Sequence, residues 1–182
     1  MTQEHRNLIK RVNQYQQVLE NTVSYRDLWH KEVKEKIIQT LNELVEETGL
    51  EAEIYVEDAI ENLESVVLDL GRVSSGISEM LGKKDFKRTM VKYNGALIYQ
   101  QLFNGKIMVM FNSPYIEGYG EPKQPKMIEI LRPDELTPPF FIRHMETFIR
   151  NITEWEDYDD DNSSSSAHSA FQPIGFFRET ES

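Results

Sequence analysis

At 182 residues, 39% of them apolar and 10% aromatic, the chain has material for one core-bearing domain and an appendage. It contains no cysteine, which excludes disulfides, thiolate nucleophiles, zinc fingers and iron–sulfur clusters. Its net charge of −11 argues against nucleic acid or an anionic membrane as partner.

The charge is uneven. From Glu154 onward the acids are Glu154, Glu156, Asp157, Asp159, Asp160, Asp161, Glu179 and Glu181, against Arg178 alone. Met1 to Arg6 has no apolar stretch of the signal-peptide kind, and Thr2 stands where myristoylation needs glycine. Apolar runs such as Ile107 to Phe111 fall far short of the roughly 20 residues that span a bilayer. A cytoplasmic protein with no membrane partner is expected.

In chain order, residues 3–21 form a helix, because Leu8, Val12, Tyr15 and Leu19 recur at helical spacing opposite a polar face. A break is expected at Asn21-Thr22-Val23. Ser24 and Asp27 then resemble a capping box that opens a second helix, striped by Trp29, Val33, Ile37 and Leu41 and ended near Thr48 by Gly49. The period changes to two at Ala52, Ile54 and Val56, which predicts a strand, and Val66 to Leu70 predicts another. Residues 71–82 are Gly- and Ser-containing and are expected to be a loose stretch with at most a helical turn. Asn94-Gly95 and Asn104-Gly105 are dipeptides of the type I′ turn, predicting a three-stranded meander over Thr89 to Tyr93, Ala96 to Phe103 and Lys106 to Asn112. Residues 113–125 form a long loop and Met127 to Leu131 a further strand. Thr137-Pro138 opens a last helix, whose stripe is Phe141, Met145, Phe148, Ile152 and Trp155.

This order gives an α+β fold: a mostly antiparallel sheet of five to six strands, with two N-terminal helices and one C-terminal helix packed on it. The expected division is a domain over 1–156 and an acidic, Ser-rich flexible tail over 157–182 that ends in an aromatic cluster.

Signatures of chemistry are weak. None of His5, His30, His144 and His168 has the i,i+4 partner of a helical metal pair. Asp157, Asp159, Asp161, Ser163 and Ser165 match the spacing of a calcium loop, but His168 stands where a bidentate Glu is needed. No catalytic residue, metal site or cofactor is assigned. Scattered acids such as Glu53, Asp69 and Glu129 read as outward-facing strand residues.

Three features invite contact. Lys83, Lys84, Lys87 and Arg88 are a basic cluster suited to an anionic ligand. Tyr115 and Tyr119 sit on a Gly-rich loop that suits recognition. Phe171, Ile174, Phe176 and Phe177 follow a solvated spacer, as a docking peptide would. The leading expectation is therefore a non-enzymatic interaction protein, such as an adaptor, assembly factor or chaperone-like domain, with a docking or self-docking tail and an unknown protein partner. Homo-oligomerisation is compatible with it. The alternatives are an enzyme with a site between the 71–88 and 113–125 segments, or an anionic-ligand binder acting through residues 83–88.

Overall fold

The computed structural model describes residues 2–81 and 86–158. The chain starts with one continuous helical rod. Its first segment is α1 (Gln3–Leu28), followed by a π-helical turn at Trp29–Val33 and then α2 (Lys34–Thr48). Two N-terminal helices are therefore not present. Thr22, Val23 and Ser24 cost a helix only a few tenths of a kcal/mol each, and the Thr22 hydroxyl donates to the Val18 carbonyl at 3.0 Å within the helix. Ser24 and Asp27 form no cap; Asp27 pairs with Lys31 at 2.6 Å on the helix surface. The π turn is marked by the Lys34 N–H donating to the Trp29 carbonyl, five residues back. This wider turn absorbs the angular drift of residues spaced by four, so Trp29, Val33, Ile37 and Leu41 all face the core. Gly49, at φ 68°, ends the rod.

The strands are β1 (Glu53–Glu57), β2 (Ser65–Asp69), β3 (Arg72–Leu81), β4 (Phe86–Tyr93), β5 (Ala96–Gln101), β6 (Ile107–Asn112), β7 (Tyr115–Ile116) and β8 (Lys126–Leu131). They form two antiparallel sheets, not one of five to six strands. The larger has the order β1-β2-β5-β6-β8 and the smaller β3-β4-β7. A turn of 3₁₀ helix at Pro133–Glu135 leads to α3 (Pro138–Glu156).

The second sheet arises where residues 71–82 were expected to be loose. They are strand β3, paired with β4 through a bulge between Ser74 and Ser78. Gly76 takes φ 74° there, and the Ser75 hydroxyl donates to the Met90 carbonyl at 2.7 Å. Ser and Gly mark a bulge here, not a strand end.

The meander is also corrected. β5 pairs with β6 and β2, while β4 pairs with β3 and β7. Asn94-Gly95 is thus no hairpin turn but a corner where the chain passes between sheets. The Leu70 N–H donates to the Gly95 carbonyl, and the Asn94 N–H to the Gly71 carbonyl, both at 3.0 Å. Gly71 (φ 74°) and Gly95 (φ 101°) lie opposite each other and bend both strands together. Asn104-Gly105 does close the β5–β6 hairpin. Only Gly105 has positive φ, so the turn is a three-residue loop with a left-handed last residue instead of type I′.

One face of the large sheet is covered by α2 and α3. Val66, Leu68, Leu97, Tyr99, Ile107, Val109 and Phe111 meet Trp29, Ile37, Leu41, Phe141, Met145 and Phe148 there. α1 supplies no buried residue.

Candidate functional site

Register places every second residue of the large sheet on the face away from the helices. One row across the strands is Tyr55–Val67–Ile98–Met110–Met127. A second is Glu57–Ser65–Gln100–Met108–Ile130, and a third is Glu53–Asp69–Ala96–Asn112. The first row is an unbroken apolar stripe over all five strands. Tyr55 is 37% exposed, Met127 59% and Ile130 46%, while Ile98, Met108 and Met110 are half-buried.

Two walls turn this face into a groove. At one end the small sheet rises from the Gly71 and Gly95 corners. There Tyr93 and Tyr115 stack with ring centroids 4.4 Å apart and planes 7° from parallel. The Arg72 guanidinium lies 4.7 Å from the Tyr93 ring centre on this wall. At the other end the β1–β2 connection carries the exposed Ile60 and Leu63. A cleft of about 280 Å³ opens beneath the Tyr93–Tyr115 wall and one of about 250 Å³ beneath Ile60 and Leu63. The two share Glu57 and Ile98 as lining.

The groove is acidic along its β1–β2 side, where Glu53, Glu57 and Asp69 lie. Burial, then Asp69 and Glu57, push the Tyr55 phenol above its ordinary range. Burial, the Tyr93 hydroxyl and Glu117 do the same for Tyr115. Both phenols are neutral donors at pH 7. The groove thus offers apolar floor, aromatic wall and acceptor carboxylates, which is binding chemistry.

Of the residues singled out by sequence, Tyr115 forms part of the wall. Tyr119 stands behind it, in an isolated bridge to Ile116. Lys87 and Arg88 are exposed on β4, opposite Met80 and Glu79. Lys83 and Lys84 lie outside the described residues, as do Phe171, Ile174, Phe176 and Phe177 and most of the calcium-like run. β7 pairs with β4 at Lys92 and Tyr93, outside the 71–88 segment; of that segment, Arg72 lines the same cleft as Tyr115.

Two polar clusters were not legible in the sequence. In the core, the Tyr99 hydroxyl lies 3.0 Å from His144 Nδ1, and His144 Nε2 lies 2.6 Å from Glu129 Oε1. Arg143 also pairs with Glu129. Burial holds His144 below the usual histidine range, so the ring is neutral. Tyr99 then donates to Nδ1 and Nε2–H donates to the carboxylate. Tyr99 and His144 are fully buried, which suits a structural relay better than a reacting one. Glu129 pairs with Val109 two residues before the buried Leu131, so strand alternation turns it toward the helices.

At the π turn, Glu64 accepts from the Trp29 indole at 3.2 Å and from Lys34 at 2.9 Å, and His30 lies 3.7 Å away. Despite burial, these donors hold the Glu64 carboxyl below its ordinary range. This cluster ties the rod to the start of β2. Among the described residues no group of three His, Asp or Glu could hold a metal ion, and no helix is long and apolar enough to cross a membrane. Comparison with protein-family models, curated proteins and solved structures finds no match for the chain.

Proposed function

We propose that this chain is a non-enzymatic protein-interaction module of the cytoplasm, and that its groove receives an extended aromatic segment. The observation that carries the reading is the apolar row Tyr55–Val67–Ile98–Met110–Met127 on a sheet face that neither α2 nor α3 covers. Four strand spacings make it about 19 Å long. The occupant we assign is the chain's own segment from Phe171 to Phe177, which a partner bearing a similar segment displaces. Six steps of extended chain cover about 20 Å, matching the groove. Arg178 follows Phe177 directly and is the only Lys or Arg after Glu154, while Glu53, Glu57 and Asp69 flank the floor. α3 ends beside the wall: Glu156 pairs with Lys92 of β4 at 2.5 Å. From Tyr158, 13 residues reach Phe171, a span of up to about 45 Å.

The test uses the chain ending at Tyr158 and a synthetic peptide covering residues 169–180. Binding should shift the methyl resonances of Ile98, Met110 and Met127, and Met127→Glu should abolish it while leaving the fold intact. A peptide that moves none of these methyls, or moves only those of another surface, removes the assignment.

A further inference from the structure

Every residue from Thr2 to Glu20 is exposed. Among the described residues, the body meets α1 near its C-terminal end. A Cβ on Gly105 would lie 2.6 Å from Tyr25 Cβ and 2.8 Å from the Arg26 nitrogen, and Arg26 Nε donates to the Phe103 carbonyl at 3.0 Å. Residues 3–20 therefore stand clear of the body, about 27 Å of helix at 1.5 Å per residue, while Asn21 and Thr22 are partly covered and Val23 and Ser24 are exposed. Along them Leu8, Ile9, Val12, Tyr15, Val18, Leu19 and Val23 are 46–68% exposed. Helices in proteins owe most of their stability to a packed apolar face.

The seam is regular. Leu8, Val12, Tyr15 and Leu19 are spaced four, three and four apart, the alternation of d and a positions in a heptad.

We propose that α1 pairs with α1 of a second copy of this chain in an antiparallel two-stranded coiled coil, making the protein a homodimer. Length supports this occupant. The seam from Leu8 to Leu19 is centred between Asn13 and Gln14 and lies wholly within the exposed run 2–20. An antiparallel copy sets Leu8 against Leu19 and Val12 against Tyr15. It carries each helix start to Ser24 of the other, beside Phe103, which is 70% exposed on the hairpin tip. Charge favours the same direction. Residues 3–13 hold Arg6, Lys10 and Arg11 against Glu4, and residues 14–24 hold Glu20 alone. Antiparallel pairing sets the basic half on the acidic half, whereas parallel pairing sets basic on basic. The area is sufficient. Seven half-exposed side chains at about 90 Å² each supply roughly 600 Å² per copy and about 1,200 Å² for the pair, the lower end of stable interfaces.

The experiment is light scattering coupled to size exclusion, with sedimentation over a wide concentration range, on the full chain and on the double variant Val12→Glu, Leu19→Glu. The full chain should be a dimer and the variant a monomer, with an unchanged urea transition of the body, because neither residue touches it. The absence of native cysteine makes register measurable. Leu8→Cys and Leu19→Cys chains, mixed and oxidised, should form the mixed disulfide in preference to either self-disulfide, since two Leu8 positions lie about 16 Å apart along the antiparallel pair. A full chain that is monomeric throughout overturns the proposal, as does a dimer that survives the double variant. So do a preference for self-disulfides, and a monomer that dimerises only when residues 159–182 are removed, which would make the tail the occupant of α1.

Discussion

Replacing Phe148 by alanine should destabilise the body by about 4 kcal/mol. Phe148 lies on α3 and is fully buried. Its ring is 6.2 Å from that of Phe111 at a tilt of 50°, and it underlies the Gly95 corner. Truncation removes about 130 Å² of buried apolar surface, roughly 3 kcal/mol at 25 cal/mol per Å². Loss of the tilted aromatic pair adds about 0.5–1.5 kcal/mol. The neighbours are strand backbone at a two-glycine corner and cannot easily collapse into the gap, so the sum belongs within the ~3–5 kcal/mol range of buried Phe truncations. Urea unfolding followed by the fluorescence of Trp29, which is itself fully buried, measures it as a midpoint shift at constant slope. Tyr15→Ala, at a position 63% exposed on α1, belongs in the same experiment at concentrations low enough to be monomeric. It should change the body's stability by less than about 0.5 kcal/mol. A loss under about 1 kcal/mol for Phe148→Ala, or above about 2 kcal/mol for Tyr15→Ala, would show that the core and free faces have been assigned the wrong way round.

Other outcomes follow from single groups. Gln101 is fully buried and its side-chain amide has no hydrogen bond among the described residues; Gln101→Met, similar in shape and apolar, should stabilise by about 1 kcal/mol, and a loss of that size in thermal unfolding would mean the amide is satisfied. Gly105→Ala combines φ 75° with a contact of 2.6 Å to Tyr25, so it should cost about 2–4 kcal/mol; a neutral result would show that the rod base is not gripped there. His144 is held below its ordinary value of 6.5 by burial, so below about pH 6.5 the unfolded chain takes up a proton that the folded one refuses. Stability should fall as pH drops from there through the folded value, and His144→Gln should flatten that slope. Wild-type stability unchanged between pH 7 and pH 5.5 would mean that the folded chain protonates His144 as readily as the unfolded one.

The two helical stripes show where sequence stops being legible. Leu8–Leu19 and Phe141–Trp155 have the same spacing, and periodicity alone reads both as core. The structure packs one and leaves the other free. Periodicity reports that a helix has an apolar face, but what covers that face depends on chain elsewhere. Here the hairpin loop at Gly105 meets the rod at Tyr25, and every residue from Thr2 to Glu20 stays exposed. The difference could be suspected from composition. The α3 stripe carries Phe, Met and Trp, while the α1 stripe is Leu, Val and Tyr.

The sheet was legible strand by strand but not in its partition. Alternation located β1, and apolar runs located β2 and β6, because each depends on its own residues. Which strands pair depends on two glycines meeting across space. Gly71 read as a stop and Asn94-Gly95 as a hairpin, each a sound local inference, yet together they form one hinge through which a long ribbon passes from the large sheet to the small one. That hinge creates the groove. It lifts Tyr93, Tyr115 and Arg72 over a sheet face that would otherwise be flat. Tyr115 of the loop singled out by sequence stands on that wall, while the floor beneath it was missed. Tyr55, Val67, Ile98, Met110 and Met127 come from five strands, and no window of sequence contains more than one of them with its partners. A groove built across strands is a property of register, and register is fixed here by the corners and bulges, which glycine makes possible and sequence pattern disguises as turns.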